Sequence, residues 1–214
     1  KIVYGKIREG GPIIFLESTA DGSTQNQFLH MIVLVASHEI NAFTEFYING
    51  NIILPSQLDG SGNVTDSTTP YNDGTTSFLR IQTASGTDTQ GAYPTLISES
   101  DGLWTEAHKL SGIASVYLRF RFNRDVYQGI PQFACVIEGK KVFDTRTGTT
   151  AYSRNPALII RDYMTTGLGM NMSVTKIDDS TITTAANTCD EDQELSDGGT
   201  EKRYTADGVI DTGI

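Results

Sequence analysis

Histidine, cysteine and tryptophan are scarce: three, two and one among 214 residues. His30, His38 and His108 have no ligand-like spacing, so no zinc pattern is present. The segment His38-Glu39-Ile40-Asn41-Ala42 comes nearest to the H-E-x-x-H helix of metalloproteases. Ala42 stands where the second histidine must be, which removes the two-ligand face. Cys135 and Cys189 lie far apart and outside any C-x-x-C pattern, too few to staple a scaffold. Trp104 alone is a thin basis for an aromatic platform that binds sugars. Positive charge is also short, with 16 Lys and Arg against 26 Asp and Glu, a net charge of -10 and a sequence pI near 4.7. That balance disfavours nucleic acid as a partner, because phosphate binding needs a basic face. Long apolar runs are missing too. The best one, residues 28–46, is broken by His30, Ser37, His38, Glu39, Asn41 and Glu45, so no membrane span or signal peptide is read.

Catalytic devices are equally thin. There is no Gly-x-Ser-x-Gly elbow, and the glycine-rich stretches lack the Lys-Ser/Thr of a phosphate loop. Residues 59–63 (D-G-S-G-N) begin like a calcium loop. The pattern then fails, with Val64 at the required glycine and Pro70 at the bidentate glutamate. Carboxylate pairs for glycoside hydrolysis are placed by a fold and not by spacing, so none is assigned. The triplets at Asn63 and Asn171 match the N-glycosylation pattern, which is common by chance. No catalytic residue, cofactor or metal ligand is assigned, and the chain is expected not to be an enzyme.

What is present points to strands. Hydrophobic content of 38%, 21 glycines and abundant Ser and Thr favour strands joined by turns. The expected class is α+β, predominantly antiparallel β, with one or two short helices. Residues 2–4 and 13–16 suggest a hairpin turning at Glu9-Gly10-Gly11-Pro12. Residues 21–26 read as a polar loop, and 28–36 (F-L-H-M-I-V-L-V-A) as a strand covered on both faces. Asn49-Gly50, between apolar runs at 42–48 and 52–54, is a strong hairpin signal. Residues 55–76 read as a long exposed, mobile loop, 77–83 as a strand, and Leu96-Ile97 as a short helical turn. Residues 113–122 alternate, with Val116, Leu118, Phe120 and Phe122 on one face and Tyr117, Arg119 and Arg121 on the other. That period of two predicts a half-buried strand. Residues 133–137 and 140–143 suggest a pair around Glu138-Gly139.

The period changes after residue 153. Asn155 suits an N-cap and Pro156 the first helical position, with the helix ending at Gly167. Ile182, Ala185, Ala186 and Cys189 suggest a second helix over 181–190. A turn follows at Asp197-Gly198-Gly199 and a strand over 201–210. Two domains are expected: a β-rich one over 1–153 carrying the 55–76 loop, and the helix-containing start of a second over 154–214. The chain opens at Lys1 without Met and breaks off mid-pattern at Asp211 to Ile214, which reads as a piece of a longer protein.

Several segments recur in a telling order. They are V-Y-G-K-I-R-E-G-G (3–11), F-L-H-M-I-V-L-V-A-S-H-E-I (28–40) and E-F-Y-I-N-G (45–50). Then come S-E-S-D-G-L-W-T-E-A-H-K-L-S-G-I-A (98–114), L-R-F-R-F-N-R-D-V-Y (118–127) and G-I-P (129–131). Last are V-I-E-G-K-K-V-F-D-T-R-T-G-T-T-A-Y-S-R-N-P-A (136–157) and K-R-Y-T-A-D-G-V-I-D-T (202–212). This series, covering most of the chain, resembles the central tail-tip hub of long-tailed bacteriophages, the lambda-type, protein J-like host-specificity tail proteins. Residues 55–76 are the main departure.

The resemblance implies a structural virion component of a phage or prophage. It implies a homotrimer that closes the tail tube at the tail tip, assembled in the host cytoplasm. The implied partners are further copies of the chain, tail-tube and distal tail proteins, and a host receptor reached through a C-terminal region absent from this sequence. No catalytic residue carries over. Arg119, Arg121, Arg124, Lys140 and Lys141 are a basic group in an acidic chain, able to meet acidic patches of a neighbour. Tyr152, with Tyr117 and Tyr127, is a candidate interface anchor. The plainer reading makes these a solvated strand face and core-edge rings. The alternative function is a cell-surface adhesin or carbohydrate-binding module, with or without hydrolase activity, which requires a concave groove lined by aromatics.

Overall fold

A computed structural model describes residues 1–211. Residues 212–214 lie outside the described residues, and with them the last position of the 202–212 segment and the end of the Asp211 to Ile214 pattern. In chain order the elements begin with β1 (Ile2–Tyr4), β2 (Lys6–Glu9), β3 (Ile13–Asp21), β4 (Thr24–Ala36), β5 (Ala42–Ile48), β6 (Asn51–Ile53), β7 (Leu79–Ser85), helix α1 (Pro94–Glu99), β8 (Ala114–Arg121) and β9 (Phe133–Glu138). They continue with β10 (Lys141–Asp144), β11 (Thr149–Tyr152), α2 (Pro156–Thr165), α3 (Asp179–Cys189), β12 (Asp192–Glu194), β13 (Thr200–Lys202) and β14 (Gly208–Ile210). The class is α+β with antiparallel β dominant. The residues form two compact units, 8–137 and 1–7 with 138–214, and the chain passes between them within β2 and within β9. Among the described residues no helix is long and apolar enough to cross a membrane.

The larger unit is built on a four-stranded sheet in the order β3-β4-β8-β7. Its register sets His30 opposite Arg119 and Ile32 opposite Tyr117, with Arg80 and Gln82 beyond them on β7. Side chains alternate along a strand. One face therefore carries Phe28, His30, Ile32, Tyr117, Arg119 and Arg80. The other carries Met31, Val33, Val116, Leu118, Phe120, Leu79 and Ile81, all buried. The first face is covered as well: Ile32 and Tyr117 join Tyr93, Leu96 and Trp104 in one buried cluster. This corrects the expectation of a half-buried strand over 113–122. Helix α1 and the segment after it lie on the face that looks polar in sequence, and Tyr117 is fully buried. Phe122, past the end of β8, is exposed.

A second sheet runs β2-β9-β5-β6. Asn49 and Gly50 turn β5 into β6 with φ of 49 and 86°, the two positive values that a two-residue type I′ hairpin demands. Phe46, Ile48, Ile53, Cys135 and Ile137 are buried here. Tyr71 joins the two sheets. Its hydroxyl donates to the Ile48 carbonyl at 2.7 Å, its ring stacks on Tyr127, and Tyr127 meets Phe120 edge-on. Residues 55–76 are thus held down by Tyr71 and by Val64, which is fully buried, although their surface loops are exposed. The calcium-like start at Asp59 is a turn. Its carboxylate accepts from the Ser61 and Asn63 amides and from Asn63 Nδ2, which leaves it engaged by its own loop.

Two expected hairpins do not form. Residues 2–4 pair with β14, β2 lies in the second sheet, and β3 pairs with β4. The glycines at 10–11 serve a different end: a Cβ at Gly11 would fall 1.6 Å from the Leu34 carbonyl oxygen. Gly11→Ala is expected to destabilise by about 1–3 kcal/mol, as an overpacked site does. Gly60→Ala, which meets open space, should stay within about 0.5 kcal/mol in the same denaturant titration. Likewise β9 and β10 belong to different sheets, and β10 pairs instead with β11 across a turn that closes on Gly148, φ +70°.

The smaller unit packs Ile2, Tyr4, Val142, Ala157, Leu158, Ile159 and Ala186 into one core. Asn155 caps α2 as expected, accepting from the Ala157 amide at 3.1 Å. Its Nδ2 also donates to the Ala186 carbonyl at 2.9 Å, which ties α2 to α3. Asp178 caps α3 through the Ser180 amide. The Asp197-Gly198-Gly199 turn joins β12 to β13, while the strand expected over 201–210 is divided between β13 and β14. Among the described residues neither cysteine is in a disulfide; Cys135 is buried and Cys189 half-buried.

Candidate functional site

The covered face of the first sheet holds a polar cluster. Glu99 ends α1 and reaches across β7 and β8. Its Oε1 accepts from Arg80 and Arg119, each at 2.8 Å, and the two guanidinium side chains are only 12% and 13% exposed. Tyr117 donates weakly to Oε2 at 3.5 Å. Behind it, His30 Nδ1 lies 2.8 Å from the Tyr117 hydroxyl and Nε2 lies 2.8 Å from Thr19 Oγ1. Arg80 Nε donates to Asn63, which fastens the 55–76 segment to the cluster. Arg119 and Arg121 both lie over the Phe28 ring.

Burial sets the electrostatics. It pushes the His30 imidazole down to about 4, against a smaller upward pull from Glu99, so this histidine is neutral at pH 7. It pushes the Tyr117 phenol up, with Glu99 adding to the rise. It lowers the Arg119 guanidinium, helped by the like charge of Arg80. Glu99 is shared by two guanidiniums, and His30 has no surface in contact with water. The cluster fixes the cover over the sheet.

The six candidate interface residues fall into two groups. Arg119, Arg121 and Arg124 belong to the larger unit; Lys140, Lys141 and Tyr152 belong to the smaller. Arg119 is inside the polar cluster, Arg121 pairs with Asp21 at 3.1 Å, and Arg124 is exposed. Lys140 pairs with Asp162 at 2.6 Å, and the Tyr4 hydroxyl donates to the same carboxylate. Lys141 and Tyr152 sit opposite each other across β10 and β11, both half-buried. The Tyr152 hydroxyl is buried and has no hydrogen bond among the described residues, and burial first of all raises its pKa. Tyr117 and Tyr127 are core residues.

Sequence reasoning missed an apolar edge. β3 borders the first sheet, and it exposes Ile13, Ile14 and Leu16 by 48%, 43% and 38%. The run I-I-F-L was the available signal, but alone it looks like any interior strand. The same unit exposes Phe122 and Ile130, each 59%. A cavity of about 740 Å³ opens elsewhere, along β7 between residues 55–62 and 90–94. Its one ring, Tyr93, is buried, so it presents no aromatic platform.

Fold and site together define a β-rich α+β module with an internally bonded polar cluster and an apolar sheet edge. No family model matches the chain, and no curated protein matches it. Among solved structures it is similar to a chain described as "Virion of native gene transfer agent (GTA) particle", at 17% identity and a TM-score of 0.43. The match covers 64% of this chain and 26% of that one. At that level the likeness supplies no argument about function.

Proposed function

We propose that the chain is a structural, non-enzymatic module of a phage-type virion, part of the hub that closes the tail tube at the tail tip and helps to present host-recognition domains. The observation that carries this reading is β3, a nine-residue edge strand that turns Ile13, Ile14 and Leu16 to solvent. An edge strand offers unpaired backbone groups to another chain, and the apolar residues of β3 lie in its first half, ahead of Glu17 and Asp21. The ordered series of hub-like segments supplies the setting. The proposed partners are further copies of the chain, in a homotrimer, together with tail-tube and distal tail proteins. The receptor is engaged by sequence beyond this chain. Arg124, Lys141 and Tyr152 are candidates for contacts to neighbours.

Immunogold labelling of particles released by a producing host tests the assignment. Antibody against this chain is expected to mark one end of the tail. Particles free of label, with the chain recovered only in the soluble fraction, would sink it.

A further inference from the structure

We propose that residues 57–66 and helix α1 form one clasp over β7, released as a unit, so that the two walls of the cavity between them move together. Two side chains carry the coupling. Arg80 and Gln82 are two apart on β7 and share one face of the sheet. Each reaches both ways. Arg80 Nε donates to Asn63 Oδ1 at 3.0 Å, and its Nη1 donates to Glu99 Oε1 at 2.8 Å. Gln82 Nε2 donates to the Ser61 carbonyl at 3.1 Å, and its Oε1 accepts from Thr95 Oγ1 at 2.5 Å. The spacings match on all three elements. Thr95 and Glu99 are four apart, on one side of α1. Ser61 and Asn63 are two apart in the strap that lies along β7.

The strap is itself a closed unit. The Thr65 amide donates to the Gln57 carbonyl at 2.8 Å, and the Gln57 side chain donates to Asp66. It lies tight on the strand: Val64 donates its amide to the Leu79 carbonyl, the Ile81 amide donates to the Gly62 carbonyl, and a Cβ at Gly62 would fall 2.1 Å from the Ile81 carbonyl oxygen. On the other side α1 is seated by Leu96, which is fully buried. Arg80 is mostly covered, and its two partners together aim the guanidinium. If the strap lifts, the bond that orients Nη1 towards Glu99 is lost. Gln82 is placed alike, its amide plane set by one bond at each end. Release of either segment therefore weakens the hold on the other, as in any shared hydrogen-bond network. The cavity of about 740 Å³ has residues 58–62 as one wall, 90–94 as the other and 81–85 as its floor. This coupling holds whether or not the chain is part of a virion.

Amide hydrogen exchange on the whole chain tests it. The Val64 amide reports on the strap, and the Ile97 amide, which donates to the Tyr93 carbonyl, reports on α1. Thr95→Val removes the hydroxyl that Gln82 accepts from and leaves the strap untouched. It should speed exchange at Ile97 and at Val64 alike, each by at least about fivefold. Asn63→Ala, made in the strap, should do the same to Ile97. The Asn49 amide, bonded to the Gln132 carbonyl in the second sheet, should keep its rate in both variants. Acceleration confined to the altered segment, or none in either, would overturn the proposal.

Discussion

Glu99→Ala is expected to lower the unfolding free energy by about 3–5 kcal/mol, the loss seen when one partner of a buried ion pair is removed. The reason is local. Arg80 and Arg119 are about seven-eighths covered, and Glu99 Oε1 is the acceptor for both. Without it two like charges face each other under α1. Burial and the like charge of Arg80 lower the Arg119 guanidinium. The exposed pair Lys202–Asp192 is the control, since such pairs contribute about 0–1 kcal/mol. Urea unfolding of Glu99→Ala and Lys202→Ala reads the difference. A cost below about 1 kcal/mol for Glu99→Ala would mean that the cluster does not hold the cover in place.

Stability should fall by up to about 3 kcal/mol as pH drops from 6.5 to 4, and His30 should carry the fall. The unfolded chain binds a proton at this histidine near 6.5, whereas the folded chain resists it until about 4. The unfolded state therefore binds more protons throughout that window. The contribution is complete above 6.5 and is lost as pH falls towards 4. Carboxylates held below their ordinary range by cations act lower down. Asp144 beside Arg146, Asp179 beside Arg161 and Asp207 beside Arg154 contribute fully above the unfolded value of 3.8, and that contribution is lost below it. The two windows meet between about pH 5 and 4. His30→Gln keeps polar partners for Thr19 and Tyr117 without a titrating ring, and it should flatten the slope between pH 6.5 and 4. An unchanged slope in that variant would show that His30 is not the group responsible.

Local chemistry was legible where one residue's constraint decides the structure. Asn49-Gly50 demanded positive φ and gave the hairpin. Asn155-Pro156 gave a capped helix start, and the largely apolar run at 28–36 gave a strand buried on both faces. Pairing between distant segments was not legible. Residues 2–4 find their partner at 208–210, and no local pattern encodes that choice. The polar face of β8 was misread for a related reason. Arg119 looks solvent-facing until Glu99, contributed by a helix from another part of the chain, neutralises and covers it. The sequence suggests one basic group, yet Arg119 and Lys140 are held by Glu99 and Asp162. The apolar edge at Ile13, Ile14 and Leu16 became visible only once the sheet order put β3 outermost.

Light scattering across a concentration series tests self-assembly through β3 most directly. The chain has a mass of 23.3 kDa. The account predicts a trimer for the natural sequence and a monomer for Ile14→Lys combined with Leu16→Lys, which charges the exposed edge without touching the core. A monomer at every concentration for the natural sequence, or a trimer that survives both lysines, would contradict it.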